Sequence, residues 1–215
     1  MQEAPRLVLA TRNPGKLREL EPLIRAAGFT ALTLTEVGVA ESAHEEALEA
    51  YATFAENALA KADYFFARCG GHPVLAEDSG LCVTALGGAP GVHSKRWGSE
   101  SGLSGAALDR HNVDRLLSAV AGADDRTARY VCVAAVVWAG GQATGEGETS
   151  GRLLEERCGD SGFGYDPVFW SGELERCFGA VSREEKAPVS HRSRAVRAVL
   201  AGYQNSREAD LFAAS

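Results

Sequence analysis

Two adjacent carboxylates, Glu77 and Asp78, follow a short apolar run at residues 73–76 and precede Ser79 and Gly80. Carboxylates at the end of a buried strand are costly to bury unless they hold a cation or accept protons. Oxygen ligands of this kind suit a Mg²⁺ ion that keeps several waters and also binds substrate phosphates. A turn in which Asp78 caps the bend before Gly80 would explain the same residues without chemistry. The position at a strand end favours a functional role.

The segment Thr-Arg-Asn-Pro-Gly-Lys at residues 11–16 lies between an apolar run and a helical pattern. Asn13 can cap that helix and Pro14 suits its first turn, which leaves free backbone N–H groups at the positive end of the helix dipole. Such an end binds phosphate, and Lys16 adds a charge there. An ordinary capped turn with a solvent-exposed lysine explains the segment equally well, because it is not a G-x-x-x-x-G-K-[ST] loop.

A second helix is predicted to begin at Thr53, because Thr53 and Glu56 have the spacing of a capping box. Asn57 and Lys61 are four residues apart and therefore share one face of that helix. Taken alone, this pair is typical of a solvated polar stripe.

The segment Gly-Phe-Gly-Tyr-Asp-Pro at residues 162–167 places two glycines beside an aromatic ring. Glycines let the backbone approach something flat, and Phe163 could stack on a nucleobase, which contributes about 1–3 kcal/mol. The simpler interpretation is a turn whose aromatic residues fill the core.

A basic stretch at residues 183–197 stands out in an acidic protein and includes Lys186, His191 and Arg192. The simpler interpretation of such a His-Arg pair is that both side chains lie on the protein surface without a functional role. The G-x-G fragment at residues 145–147 is assigned to the turn of a hairpin.

Apolar periodicity predicts an α/β fold. Strands are expected at 6–10, 30–34, 73–77, 81–85, 129–139 and 143–155. Helices are expected from 17 to Gly28, from Thr53 to Gly70, over 104–121 and from Pro188 to Tyr203. Residues 36–52 are acidic and irregular. Because the order is mixed rather than strictly alternating, the sequence predicts a mixed sheet with helices packed on it.

Composition narrows the class of protein. The 215 residues fit one domain, 1–215, with room for two lobes. A composition of 45% hydrophobic and 24% charged residues is ordinary for a globular chain. The net charge of −7 disfavours non-specific nucleic-acid binding. A small polyanionic ligand remains compatible, since a metal ion can neutralise nearby carboxylates.

The five cysteines are odd in number, widely spaced and form no C-x-x-C pair, so zinc and disulfide interpretations are weak. Cys82 and Cys132 lie in apolar runs and are expected to be buried thiols. The N-terminal sequence MQEAPRLVLAT lacks an apolar signal core, and no stretch approaches the ~18–20 apolar residues of a membrane span. These features predict a cytoplasmic protein without a membrane partner.

Taken in order, the five motifs resemble the inosine/xanthosine triphosphate pyrophosphatase family from about residue 6 to residue 203. The shared patterns are T-x-N-x-x-K, T-F-x-E-N-A-x-x-K-A, [ED]-D-S-G-L, G-F-G-Y-D-P and S-H-R. The segment at residues 89–97 also matches a family loop, with Arg96 in the arginine position.

The resemblance implies a hydrolase that converts inosine, deoxyinosine and xanthosine triphosphates to the monophosphate and pyrophosphate with Mg²⁺. It also implies a homodimer, and an elongated mixed central sheet flanked by helices, with two lobes and an active-site cleft between them.

The resemblance further implies a role for particular residues. Asp78 would be the general base for the attacking water and, with Glu49, a metal ligand. Phe163 would stack on the base and Asp166 would hydrogen-bond its ring edge. The implied substrate-binding residues are Thr11, Arg12, Asn13, Pro14, Gly15, Lys16, Lys61, Ser79, Phe163, Gly164, Tyr165, Asp166, Lys186, His191 and Arg192.

Elementary chemistry agrees with these roles. Phosphoryl-type transfer needs mostly positioning and charge neutralisation, which Mg²⁺, Lys16 and Lys61 could provide. Hypoxanthine and xanthine present a carbonyl oxygen where adenine presents an amino group, so donors from His191 and Arg192 would pair with the former only.

The chain departs from the family patterns at three places. The family's E-T-G-x-T-F reads Glu-Ala-Tyr-Ala-Thr-Phe at residues 49–54, after a loop that is several residues longer. The first carboxylate of the acidic pair is Glu77, which keeps the charge. Residues 178–181 lack the acidic residue that is usual before Lys186.

Three alternatives stay open at this point. A pyrophosphatase for pyrimidine or modified nucleotides is disfavoured by the His191-Arg192 pair. A nucleotide-binding sensor without turnover would have no need of the intact Lys16, Glu77 and Asp78. A structural partner protein would not explain five matching motifs.

Overall fold

Seven strands and five α-helices follow one another in the computed structural model, which describes residues 4–213 apart from the side chains of residue 46 and residues 208–213. The strands are β1 (Arg6–Leu9), β2 (Thr30–Thr33), β3 (Val74–Val83), β4 (Thr127–Trp138), β5 (Gly141–Leu153), β6 (Phe169–Ser171) and β7 (Arg176–Cys177). The helices are α1 (Pro14–Ala26), α2 (Phe54–Phe66), α3 (Gly105–Ala119), α4 (Arg183–Lys186) and α5 (His191–Ala213). The ends of the predicted domain 1–215, including the first three residues of its N-terminal sequence, lie outside the described residues.

The strands form one sheet in the order β2-β1-β3-β4-β5-β6-β7. Strand β1 pairs in parallel with β2, from Arg6 opposite Thr30 to Leu9 opposite Thr33, and also in parallel with β3. Strand β6 pairs in antiparallel fashion with β5 and β7. The predicted mixed sheet is therefore confirmed.

The chain divides into two compact units. The first contains the described residues within 1–78, 132–147 and 192–215, and the second contains 79–131 and 148–191. Among the described residues, no helix has both the length and the apolar character needed to span a membrane.

Alternation along the strands gives the first unit a hydrophobic core on each face of its part of the sheet, because successive strand residues point to opposite sides. Leu7 and Leu9 of β1 pack with residues of α1 and α5. Val8 and Ala10 pack instead with residues of α2. The second unit has its own core, built around residues of α3, β4 and β6. In the first unit, which carries Glu77 and Asp78, α1 and α5 therefore pack on one face of the sheet and α2 packs on the other.

The expectation of two strands at 73–77 and 81–85 is wrong, since β3 runs without interruption. Gly80 lies inside this strand, and another segment passes too close to it to leave room for a side chain. A Cβ at Gly80 would lie 2.2 Å from the Gly91 carbonyl oxygen and 2.5 Å from Ser94 Oγ. The glycine signals a close backbone approach rather than a turn.

The predicted last helix also divides differently. Ser182 and Glu185 form a capping box that begins the short helix α4. Pro188 cannot donate a helical hydrogen bond and its ring clashes with the preceding turn, so α5 begins only at His191. A 3₁₀ helix at Ala43–Glu49, capped by Ser42, lies in the acidic stretch that showed no pattern.

The assignment of residues 145–147 to a hairpin turn is likewise wrong, because they lie within β5. Gly145 is needed there because α5 packs directly on the strand. A Cβ at Gly145 would lie 2.4 Å from the Val199 amide nitrogen and 2.6 Å from the Ala195 carbonyl oxygen.

We expect Gly145→Ala to lower the free energy of unfolding by about 1–3 kcal/mol, because α5 must shift to admit the methyl group. Gly172→Ala is the matched control, since its Cβ would meet only the Ser150 carbonyl oxygen at 3.6 Å. The control should stay within about 0.5 kcal/mol of the parent protein. Equal effects in guanidinium unfolding would contradict the close-packing explanation.

Candidate active site

The segment after β1 begins α1 with Asn13 as its N-cap. Asn13 Oδ1 accepts hydrogen bonds from the Gly15 and Lys16 amides at 2.8 and 3.2 Å, and the Leu17 amide bonds the Asn13 carbonyl oxygen at 3.0 Å. Pro14 has no N–H group. The expectation of free amides at this helix tip is therefore wrong, because the cap uses them. The segment offers the helix dipole and the charge of Lys16 instead.

Arg12 fixes a neighbouring segment. Its Nε and Nη2 donate to the two carboxylate oxygens of Glu45 at 2.7 and 2.8 Å, and Nη2 also donates to the Val39 carbonyl oxygen at 3.2 Å. The hydrogen bond between these side chains raises the pKa of Arg12 and lowers that of Glu45. This pair holds the 3₁₀ helix that ends at Glu49 close to the turn before α1.

Strand alternation separates the two carboxylates of β3. Leu75, two residues before Glu77, packs in the core of α1 and α5, whereas Ala76, two residues before Asp78, packs in the core of α2. Because residues two apart face the same side of a sheet, Glu77 meets α1 and α5 while Asp78 meets α2.

Glu77 is the shared counter-ion of two cations. Lys16 Nζ lies 2.6 Å from Glu77 Oε1, and Arg192 Nε lies 3.6 Å from Oε2. The Cys132 thiol on β4 donates to the same oxygen at 3.5 Å. Burial raises the pKa of Glu77, but the charges of Lys16, Arg192 and Lys61 outweigh it and hold that pKa well below its ordinary value. Glu77 is therefore ionised at neutral pH.

The two cations differ in their access to solvent. Lys16 keeps 15% of its side chain exposed, so an anion can reach it. Arg192 is only 3% exposed and also pairs with Glu19 of α1. Burial lowers the pKa of Arg192, but the charges of Glu77 and Glu19 outweigh it and raise that pKa. Lys16 is thus the more accessible of the two cations, and Arg192 joins α5 to α1 and β3.

Asp78 lies in a different environment from its neighbour. Its Oδ2 accepts a hydrogen bond from Asn57 Nδ2 at 2.8 Å. Burial raises the pKa of Asp78, the charge of Glu49 raises it further, and the charges of Lys61 and Lys16 oppose both. The net shift is upward, as suits a carboxylate that accepts a proton near neutral pH.

Glu49 and Lys61 complete this side of the site. Lys61 forms an ion pair with Glu49 and donates to the Glu77 carbonyl oxygen at 3.0 Å. Since Glu49 acts electrostatically on Asp78, the two carboxylates are close enough to repel each other. A divalent cation would relieve that repulsion, and two carboxylates leave coordination positions for water and phosphate oxygens, as Mg²⁺ prefers. The residues present therefore fit such an ion.

The first unit thus brings together Lys16, Lys61, Asp78 and Arg192, the residues on which the sequence argument depends. Glu77 contacts both Lys16 and Arg192 and precedes Asp78 in the chain. The first unit also contains the predicted residues Thr11, Arg12, Asn13, Pro14, Gly15 and Glu49. The other predicted residues lie in the second unit, where Ser79 continues β3 and is half-buried.

In the second unit, Asp166 organises the glycine-rich segment. Its Oδ2 accepts from Lys186 Nζ at 2.7 Å and from the Phe163 amide at 3.1 Å. Lys186 Nζ lies 5.5 Å from the ring centre of Phe163 and 5.1 Å from that of Phe178. Lys186 is thus a buried cation between two aromatic rings and one carboxylate.

Glycine is required within this segment. Gly162 has a φ of +78°, and a Cβ there would lie 2.2 Å from Asp166 Oδ2. The Gly164 amide donates to Asp109 Oδ2 at 3.1 Å, and the Tyr165 hydroxyl donates to the Ser94 carbonyl oxygen at 2.8 Å. These bonds anchor the backbone on the C-terminal side of Phe163.

His191 stacks on Tyr130 of β4, with ring centres 4.5 Å apart and an interplanar angle of 6°. Tyr130 also stacks on Phe178 at 6.1 Å. The contact of Tyr130 with His191 is not predictable from the sequence, because an aromatic residue in an apolar strand has the pattern of a core residue. The ion pair of Glu19 with Arg192 was not predicted either, although Glu19 is three residues after Lys16 and so shares its face of α1.

Comparison with known proteins identifies the family of this chain. Residues 7–202 match the model of the Ham1 family. A dITP/XTP pyrophosphatase of Thermus thermophilus is 43% identical over 208 residues, which cover 95% of each chain. A dITP/XTP pyrophosphatase of Desulfotalea psychrophila is 41% identical over 198 residues, or 92% of this chain and 84% of the relative. The Ham1 protein of Staphylococcus aureus has a similar structure, with a TM-score of 0.77, 29% identity and coverage of 94% of this chain and 99% of its own.

This chain belongs to the Ham1 family. The recognition of the inosine/xanthosine triphosphate pyrophosphatase family from five motifs is confirmed, and so is the mixed α/β fold.

We expect Glu77→Gln to lower the free energy of unfolding by about 3–5 kcal/mol at pH 7, because the charges of Lys16 and Arg192 lose the counter-charge that they share. The stabilisation by Glu77 is full above pH 4.5, its ordinary pKa, and disappears as the pH falls through the lower pKa of the folded protein. The difference between variant and parent should therefore narrow in acid.

Guanidinium unfolding at several pH values measures this difference. Glu146→Gln is the control, since Glu146 is exposed on β5, and it should change stability by less than about 0.5 kcal/mol. A Glu77→Gln variant as stable as that control at pH 7 would show that Glu77 does not hold the two cations.

Proposed function

We propose that this protein is a nucleoside triphosphate pyrophosphatase that hydrolyses deaminated purine nucleotides, such as inosine, deoxyinosine and xanthosine triphosphates, to the monophosphate and pyrophosphate. Both curated relatives described above are named dITP/XTP pyrophosphatases. The single observation that carries the proposal is the cluster in the first unit, where two lysines surround two adjacent buried carboxylates with opposite pKa shifts.

The cluster supports hydrolysis of a phosphoanhydride. Water adds across the bond between the α- and β-phosphates, and Asp78, with its raised pKa, accepts the proton that the water loses. Lys16 and Lys61 supply positive charge next to the oxygens on which negative charge develops. Glu77 stays ionised and keeps Lys16 in place. The remaining predicted residues of the 11–16 segment, Thr11 to Gly15, form the capped turn that orients Lys16.

Glu49 and Asp78 would hold a Mg²⁺ ion, which neutralises phosphate charge when bound. Lys61 forms an ion pair with Glu49 and so places a positive charge beside this carboxylate. The repulsion between Glu49 and Asp78 supports a cation here.

The second unit supplies groups suited to an oxopurine. Phe163 would stack on the base and Asp166 would accept from its ring N–H, while Lys186 and His191 would donate to its oxygens. Adenine carries an amino group at the position of the hypoxanthine oxygen, so these donors would find no acceptor. The family resemblance implies that Arg192 also donates to the oxygens of the base. Its five N–H donors allow it to pair with Glu19 and Glu77 and also to donate to a ligand.

The proposal includes one catalytic domain over residues 1–215, a homodimer and a cytoplasmic location. The homodimer rests on the family resemblance, the single domain on the length of the chain, and the cytoplasmic location on its cysteine pattern and N-terminal sequence.

The substrate class can be tested by measuring pyrophosphate release from inosine, xanthosine, guanosine, adenosine and thymidine triphosphates, each with Mg²⁺ and with chelator. We expect fast release from the first two only, and its loss in chelator. Activity on thymidine triphosphate alone would support a pyrimidine-specific enzyme. Activity that persists in chelator would exclude the metal-dependent mechanism.

Replacement of Asp78 by asparagine tests the proposed base. Because the amide keeps the shape but cannot accept the proton, we expect turnover of inosine triphosphate to fall about 10²–10⁴-fold with nucleotide binding retained. Asp124→Asn, at an exposed position before β4, is the control and should keep full turnover. An unchanged rate in Asp78→Asn would place the base elsewhere.

A further inference from the structure

Asn57 lies in the first turn of α2 and its side chain is fully buried. Its Nδ2 donates to Asp78 Oδ2 at 2.8 Å and to the Tyr51 carbonyl oxygen at 3.4 Å. Its Oδ1 accepts from the Tyr51 amide at 2.9 Å. One side chain therefore contacts a carboxylate of β3 and both backbone groups of a residue in the segment before α2.

Only an amide of this length makes all three contacts. The Tyr51 amide requires an acceptor, and the Asp78 carboxylate requires a donor. Since Oδ1 is fixed by the Tyr51 amide, Nδ2 must face Asp78. An aspartate at position 57 would keep the acceptor but would place a second negative charge against Asp78. A leucine would remove all three contacts.

The segment held by Asn57 carries Glu49. Tyr51 is two residues after Glu49, at the place where the chain lacks the Thr-Gly pair of the family pattern. Asn57 bonds the backbone of Tyr51, while half of the Tyr51 residue surface remains exposed. The contact is therefore independent of the tyrosine side chain, and the segment is fixed although the Thr-Gly pair is absent.

We propose that Asn57 is a positioning residue that holds the Asp78 carboxylate and the segment carrying Glu49 in one fixed arrangement. This inference rests on the proposed function, in which Asp78 is the base and Glu49 a metal ligand. Asn57 acts through Asp78 and binds no substrate itself. Lys16 and the groups for the purine base do not depend on it.

The first test separates rate from binding. In Asn57→Leu, the Asp78 carboxylate loses its fixed orientation, and misplacement of a catalytic group by about 1 Å can cost 10²-fold in rate. We expect kcat for inosine triphosphate to fall about 10–100-fold while KM changes less than about threefold. Asn205→Asp, exposed near the end of α5, should keep both constants. A kcat equal to that of the parent protein would overturn the inference.

The second test asks whether the effect passes through Asp78. Single-turnover rates are compared for Asn57→Leu, Asp78→Asn and the double variant. Because Asn57→Leu acts chiefly by freeing the Asp78 carboxylate, adding it to Asp78→Asn should lower the residual rate far less than the 10–100-fold loss in the parent background, with only the loosened Glu49 segment contributing. The same 10–100-fold loss in both backgrounds would show a general structural role instead.

The third test needs neither metal nor substrate. In chelator, Asn57→Asp should lower Tm by roughly 5–10 °C, because two buried carboxylates then face each other. The exchanged pair, Asn57→Asp with Asp78→Asn, restores one donor and one acceptor and should recover most of the loss. A double variant no more stable than Asn57→Asp would exclude the proposed contact.

These outcomes separate the two proposals. A parent protein that releases no pyrophosphate from any triphosphate would exclude the proposed function, whereas the thermal measurement would still report the contact between residues 57 and 78. An active parent protein whose kcat does not respond to Asn57→Leu would exclude only the positioning role.

Discussion

One buried carboxylate fixes the geometry on which this protein depends. Glu77 is ionised inside the first unit because Lys16 and Arg192 compensate for its loss of water, and each of the three would be costly to bury without the others. The partners come from α1 and α5, which are far apart in the chain. A single charge in β3 therefore links both helices to the strand, and with them the lysine that can meet a phosphate.

The strand that carries Glu77 also explains how two neighbouring carboxylates acquire different chemistry. Alternation directs Glu77 towards the cations of α1 and α5, and Asp78 towards Asn57 of α2. The first environment favours the charged form and the second, dominated by burial, disfavours it. Glu77 is thus held as an anion, and Asp78 is suited to accept a proton. The difference comes from their surroundings, because both side chains end in the same carboxyl group.

Much of this was predictable from local patterns. The caps at Asn13 and Thr53 and the apolar runs located α1, α2, β1 and β4, because these signals are encoded in neighbouring residues. The errors at Gly80 and Gly145 share one cause. At each position another segment of the chain passes so close that a Cβ atom would clash with it. The residues next to each glycine in the sequence do not reveal that contact. The motifs contain residues that meet around Glu77 and around Asp166, but they do not reveal the ion pairs among them. That Asn13 occupies its own helix amides, and that Arg192 joins two carboxylates, depends on side-chain directions that only the folded chain defines.

The thiol of Cys132 has a consequence for the chemical durability of the site. It lies in a cluster that already contains ionised groups, yet burial and the neighbouring charge of Glu77 raise its pKa well above the ordinary value, so the sulfur keeps its proton. Thiolates, rather than thiols, react with peroxides and alkylating agents. Burial, together with the carboxylate that holds Lys16 and Arg192, therefore also makes the nearest sulfur a poor nucleophile.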